Sequence, residues 1–219
     1  MERNVSMDEI SDGRLYGLND MVKADCRDCE GCSACCRGMG TSIVLDPLDI
    51  YRLTAGLGES FEKLLAGGVE LNLADGLILP NLRMAGEKEQ CVFLDERGRC
   101  GIHPFRPGIC RLFPLGRYYE NGGFSYFLQT GECAKENRSK IKVSKWIDTP
   151  DLTRNQQFTL QWHDLLHAME ERLTGEDEGK QQEENLLLLR LFYLLPYKGT
   201  TDFYSQFMER MEYWNEQIR

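Results

Sequence analysis

The chain has 219 residues, enough for one sizeable domain with an appendage or for two small ones, and its apolar fraction of 42% excludes disorder as the default. Its 35 acidic residues outweigh 26 basic ones for a formal charge of -9, which excludes a general affinity for nucleic acid or anionic lipid, because phosphate binding needs a basic footprint. Residues 1–9 mix both charges without the apolar run of a secretory signal, and the longest apolar stretch, 186–195, is broken by Arg190 and far short of the roughly 20 residues that span a bilayer. The cytoplasm is the expected compartment, with no membrane span.

In chain order, the first feature is a run of thiols: Cys26, Cys29, Cys32 and Cys35 at three-residue intervals, with Cys36 directly after. Residues 41–45 then read as a short strand. Asp46 supplies an N-cap and Pro47 a first-turn proline for a helix whose apolar stripe is Leu48, Ile50, Tyr51 and Leu53 and which ends near Gly56. Two hairpins follow, 69–73 with 77–84 around Asp75-Gly76, and 115–119 with 124–129 around Asn121-Gly122-Gly123. Between them, the turn Asp95-Glu96-Arg97-Gly98 is expected to bring Cys91 and Cys100 near each other.

From Thr149 the pattern becomes helical. Pro150 stands at a first helical position, and Phe158, Trp162, Leu165, Met169 and Leu173 recur at helical spacing. A charged break at 175–179 separates this helix from a second apolar one, 186–195, which Pro196 ends; Phe203, Phe207, Met211 and Trp214 mark a third. All nine cysteines lie between 26 and 133. That asymmetry predicts a cysteine-cluster metal-binding domain over 1–148 and a C-terminal helical region over 149–219 packing on it. The expected fold class is α+β, with short strands and hairpins followed by helices.

Nine thiols in a reducing compartment point to metal ligation instead of a disulfide framework, and the odd count leaves one without a disulfide partner. Soft thiolates bind zinc, copper(I) and iron-sulfur clusters, and a Cys-x2-Cys loop can place two sulfurs on one centre with its backbone amides toward their charge. Thiols used only as small packing residues would have no reason to recur every third position. The bacterial ferredoxin pattern C-x2-C-x2-C-x3-C-P is matched in its first three cysteines, by Cys26, Cys29 and Cys32 or by Cys29, Cys32 and Cys35, but not in its last gap or its proline. Neighbouring side chains of an extended chain project to opposite sides, so Cys35 and Cys36 do not easily serve one tetrahedral ion. Four sulfurs per zinc or cubane allow two sites with one thiol over, or one site with several thiols in other roles.

Taken together, Cys29-x2-Cys32-x2-Cys35-Cys36-Arg37, the segment from Leu45 to Leu53, and the run from Cys91 through Gly98-Arg99-Cys100-Gly101-Ile102-His103-Pro104-Phe105-Arg106-Pro107-Gly108-Ile109-Cys110-Arg111-Leu112-Phe113-Pro114 closely resemble the YkgJ-type CxxCxxCC cysteine-cluster family. Cys133 fits its late cysteine, and the resemblance spans about residues 26–150. It implies a zinc- or iron-chelating domain in which Cys29, Cys32, Cys35, Cys36, Cys91, Cys100, Cys110 and Cys133 are the matching positions, with Cys26 an extra. His103 stands where family members often have tyrosine.

Arg106 and Arg111 flank Cys110 and could donate to sulfur or offset thiolate charge, or simply serve as surface arginines in a proline-shaped loop. His163 and His167 share a helix face and could hold a metal, but the H-E-x-x-H glutamate is missing, and a polar helix flank is the simpler reading. No phosphate loop, dinucleotide fingerprint or nucleophile elbow occurs.

The functional expectation is a metal-binding protein holding an iron-sulfur cluster, the 4Fe-4S form favoured, or Zn2+, in a redox or accessory role. Two rivals are an iron-sulfur-dependent protein-modifying enzyme such as a lysine N-methyltransferase, suggested by analogy with flagellin lysine N-methylase, and a zinc-stabilised adaptor that recruits a protein partner through its C-terminal helices. No S-adenosylmethionine loop is recognisable.

Overall fold

The structure is a computed structural model that describes residues 6–27, 29, 32–135, 137–199 and 201–218. It is mixed α+β, as the sequence pattern predicts. The chain forms two compact units from interleaved segments: unit one comprises Met1–Gly40, Met84–Gly101 and Gly108–Leu160, and unit two Thr41–Arg83, Ile102–Pro107 and Gln161–Arg219. No helix among the described residues is long and apolar enough to cross a membrane.

Unit one is built on short antiparallel pairings. The strand Gly123–Gln129 lies between Ser11–Tyr16 and Leu115–Glu120, and the hairpin runs in unbroken register from Leu115↔Leu128 to Glu120↔Gly123. Gly116 faces Phe127 across that register, and the Phe127 ring occupies the space a Cβ on residue 116 would need, so only glycine lets the ring lie flat on its neighbour. A second pair joins Met21–Asp25 to Ser139–Lys142. The alternation of Met21–Asp25 buries Val22 and Ala24, which pack with Leu112, Leu115, Tyr126, Leu128, Val143 and Ile147. Trp146 Nε1 donates to the Leu112 carbonyl at 3.1 Å, tying the short helix Val143–Ile147 to this core.

Unit two begins with the helix Pro47–Leu57, whose start follows the sequence rule closely. Asp49 N donates to Asp46 Oδ1 at 2.8 Å while Asp46 N donates to Asp49 Oδ2 at 3.2 Å, a reciprocal cap, and Gly58 ends the helix in the left-handed conformation. The hairpin Val69–Ala74 with Leu77–Leu82 is fully paired. Residues 41–45 form no full strand; they contribute a single bridge, Val44↔Asn81, flanked by bonds from Leu45 N to the Pro80 carbonyl and from Leu82 N to the Ile43 carbonyl. Pro80 cannot donate to a ladder, so its free carbonyl serves this edge.

The helical part of unit two takes the helix Leu152–Leu173 from residue 161 onward, then Glu178–Leu189, a π-helical turn Arg190–Leu194, and Phe203–Gln217. Trp162, Phe192, Tyr193, Phe207 and Trp214 form its buried aromatic centre, with Trp162 and Phe192 ring centroids 5.2 Å apart. The wide turn at Arg190–Leu194 leaves carbonyls without helical partners. Buried Arg210 donates to one of them, the Leu191 carbonyl, at 2.8 Å, and to the Pro196 carbonyl beyond the turn at 3.0 Å, while its guanidinium stacks 3.5 Å from the Tyr197 ring centroid.

Candidate metal centre

All nine cysteines fall in unit one, and none is joined in a disulfide. Five of them, Cys26, Cys29, Cys32, Cys35 and Cys133, line one hollow, walled by Ala34, Phe113, Pro114 and Ala134 and edged by Lys135. The strand pair builds this meeting. Asp25 pairs with Ser139 at the end of its ladder, so Cys26 leaves the strand beside the segment that carries Cys133. Ser139 Oγ donates to Asp25 Oδ2 at 2.8 Å and Arg27 N donates to Asp25 Oδ1 at 2.9 Å. The Arg27 amide first, and the Ser139 hydroxyl second, hold the Asp25 carboxyl below its usual range.

After Asp25 the backbone turns sharply. Arg27 and Cys29 both have positive φ, 54° and 58°, a conformation that is uncommon for residues with side chains and that recurs at functional sites. Cys32 N then donates to the Cys29 carbonyl at 3.0 Å, closing the loop between the two thiols. Cys26 Sγ and Cys29 Sγ stand 3.4 Å apart. The amides of residues 28, 30 and 31, expected to face the sulfurs, lie outside the described residues.

Cys35 and Cys36 sit on a short 3-10 turn, Ala34–Cys36, not on an extended chain. Successive side chains of such a turn diverge by about 120°. Cys35 lines the hollow, and Cys36 is not among the described residues that do. Beyond it, Arg37 bridges Gln90 antiparallel, Gly38 N donates to the Glu89 carbonyl at 2.9 Å, and Arg37 Nη1 donates to Gln90 Oε1 at 2.7 Å.

Gln90–Cys91 pairs with Met84–Ala85, and the reversal at 95–98 is closed by Gly98 N to the Asp95 carbonyl at 2.9 Å and Asp95 N to the Arg99 carbonyl at 2.8 Å. Leu94 bridges Cys100. Burial pushes the Cys91 thiol up, opposed by the Phe93 amide and reinforced by the nearby Cys100. Arg99 Nη1 donates to the Cys29 carbonyl at 2.9 Å, locking this hairpin to the loop between the first thiols. Sequence reasoning passed over Arg99 and Lys135, although Arg99 immediately precedes Cys100 in the quoted motif.

Cys110 lies in the helix Gly108–Leu112, followed by Phe113 and Pro114 of the hollow. Arg111 of the same helix is buried and donates through Nη1 to the Asp148 carbonyl at 3.3 Å. Arg106 and His103 belong to unit two, where the Arg106 guanidinium lies against the His103 ring. His163 and His167 are also in unit two, their ring centroids 6.3 Å apart, with Nδ1 atoms 3.4 Å from Asp164 Oδ1 and 3.6 Å from Glu171 Oε1.

Among the described residues, no three Cys, His, Asp or Glu side chains already form a closed metal-ligand group. The fit to a soft metal therefore rests on donor chemistry and placement: five thiols around one hollow, with no carboxylate or imidazole on its lining among the described residues, and a lysine on that lining.

A family model described as CxxCxxCC, "putative zinc- or iron-chelating domain", matches residues 28–141, more than half of the chain. No curated protein and no solved structure matches.

Proposed function

The chain belongs to the CxxCxxCC family, and from that premise we propose that it is a thiolate metal-centre protein whose hollow holds an iron-sulfur cluster, the 4Fe-4S form favoured, in a redox or accessory role in the cytoplasm. The observation that carries this reading is the convergence of Cys26, Cys29, Cys32, Cys35 and Cys133 on one hollow. Four of the five thiols would satisfy a cubane, and among the described residues the apolar walls with one lysine suit a negatively charged cluster partly withdrawn from water. When bound, such a group supplies an electron-transfer centre whose potential follows its surroundings. The chain's own residues anchor it through sulfur, exclude water with Phe113 and Pro114, and offset charge through Lys135.

Zinc is the second reading, favoured by one distance. Two thiolates on one zinc, each at about 2.3 Å in tetrahedral geometry, stand roughly 3.8 Å apart. Cys26 Sγ and Cys29 Sγ, at 3.4 Å, are near that edge length.

The test is elemental analysis and an absorption spectrum on protein purified without oxygen. Iron with equimolar sulfide and a broad visible band is the expected result. Stoichiometric zinc in colourless protein overturns the cluster and leaves the thiolate centre standing. Metal-free protein that folds identically removes both.

A further inference from the structure

The hairpin of Val69–Ala74 with Leu77–Leu82 has two edges, and the chain covers them unequally. On the Leu77–Leu82 side, Ile78 N donates to Asn185 Oδ1 at 2.6 Å, Leu45 N donates to the Pro80 carbonyl at 2.8 Å, and Leu82 N donates to the Ile43 carbonyl at 3.0 Å. These bonds fix the phase of the ladder. Because Ile78, Pro80 and Leu82 turn their backbone groups away from the hairpin partner, the residues opposite them, Leu73, Leu71 and Val69, turn theirs outward on the other edge. There, no described residue bonds to the outward groups of Leu71 or Leu73.

Natural edge strands carry devices that stop another strand from pairing: a proline, a lysine, a bulge or a covering segment. Val69–Ala74 has neither proline nor lysine, its register is unbroken, and its one charge is Glu70. Leu71 is 41% exposed and Leu73 72%, on the face shared with Pro80 and Ile78. On the opposite face Asn72 Nδ2 donates to Asn81 Oδ1 at 2.6 Å and Asn81 Nδ2 to Glu70 Oε1 at 3.2 Å, which holds the polar side chains in place. This edge is complementary to itself. A two-fold axis at Leu71 sets Leu71 opposite Leu71 of a second copy, Leu73 opposite Val69 and Glu70 opposite Asn72, so outward N–H groups meet carbonyls and no like charges meet. An axis at Asn72 would instead set Val69 against the turn at Asp75, so the Leu71 axis pairs more of the edge.

We propose that Val69–Ala74 pairs antiparallel with the same strand of a second copy of this chain, joining the two hairpins into one continuous sheet. The pairing covers Leu71 and Leu73 with their counterparts and gives their backbone groups partners. A contact of one short strand per copy belongs at the small end of interface sizes, below about 1,200 Å² in total, so the dimer exchanges with monomer. The strand lies in unit two and carries no thiol, so this pairing stands or falls independently of the metal reading.

The experiment is sedimentation equilibrium on the full-length chain under reducing conditions, which exclude thiol cross-links, with amide exchange followed at low and high concentration. A monomer–dimer equilibrium is expected, in which protection of the Leu71 and Leu73 amides rises with concentration while that of the Asn72 amide, already paired within the hairpin, does not. Leu71→Lys sets like charges opposite each other and should weaken the dimer at least about tenfold, and Leu71→Glu should do the same. Retained protection of the Asn72 amide shows that each variant keeps its hairpin. Mixing the two variants should restore a dimer, because the axis at Leu71 sets the introduced ammonium against the introduced carboxylate. A monomer at every concentration overturns self-pairing and leaves the edge to a foreign strand. A dimer that Leu71→Lys does not weaken, or that the mixture does not restore, overturns the pairing centred on Leu71.

Discussion

The unit that carries the cysteines and the unit whose core gathers Trp162, Phe192, Tyr193, Phe207 and Trp214 differ in what their cores are made of. Unit two centres on Trp162, Phe192, Tyr193, Phe207 and Trp214, all buried, whereas the largest ring in the packed core around Val22 and Leu115 in unit one is Tyr126. Of the described non-glycine residues with left-handed backbone, Arg27, Cys29, Glu89, Asn121, Asp148 and Asp151 are in unit one and Asp75 is in unit two. Left-handed residues each cost about 1 kcal/mol or more, and something must offset that cost. Apolar burial does so in unit two; in unit one, metal ligation is the candidate, because metal binding to a site that the unfolded chain lacks is itself folding free energy.

The largest expected effect breaks that comparison outright. Apparent binding energies of structural zinc reach about 10–16 kcal/mol in small domains. Removing metal should therefore strip amide-exchange protection from 26–36 and 84–101 while leaving Phe203–Gln217 protected. Equal loss in both units, read by exchange and mass spectrometry, would dissolve the distinction.

The converse test is a cavity in unit two. Phe192 is fully buried between Trp162, Phe207 and Trp214, with centroid distances of 5.2, 5.8 and 6.0 Å. Phe192→Ala should cost about 3–5 kcal/mol, measured by denaturant unfolding, with metal content unaltered.

A smaller effect lies at high pH. Tyr193 donates its hydroxyl to the Leu45 carbonyl at 3.0 Å, and burial, ahead of the nearby Asp46 charge, pushes its phenol well above 10. The unfolded chain then loses that proton first, so the contribution is complete below about pH 10 and is lost as pH rises through the folded value. Tyr126 in unit one is pushed up by burial as well, so the discriminating measurement is Tyr193→Phe, which should flatten the alkaline limb of unit two while lowering its stability at neutral pH.

Local signals in the sequence located most elements. Asp46-Pro47 set the helix start because an acceptor side chain and a proline are both suited to a first turn, and Asp75-Gly76 and Asn121-Gly122 set hairpins because they tolerate positive φ. The strands Ser11–Tyr16 and Met21–Asp25 escaped notice: their partners, Gly123–Gln129 and Ser139–Lys142, lie more than 100 residues away, and no short-range pattern announces such a pairing.

The same division holds for the metal centre. The identity of the donors, nine thiols and their spacing, is a property of the sequence, and it was enough to point to the family, whose domain is described as zinc- or iron-chelating. Which thiols meet was decided only by tertiary structure, since Cys133 joins Cys26 at the hollow beside the Asp25↔Ser139 pairing. Spacing constrains sulfurs within one loop; contacts between loops depend on backbone hydrogen bonds that every residue type can make, and these leave little trace in the order of the side chains.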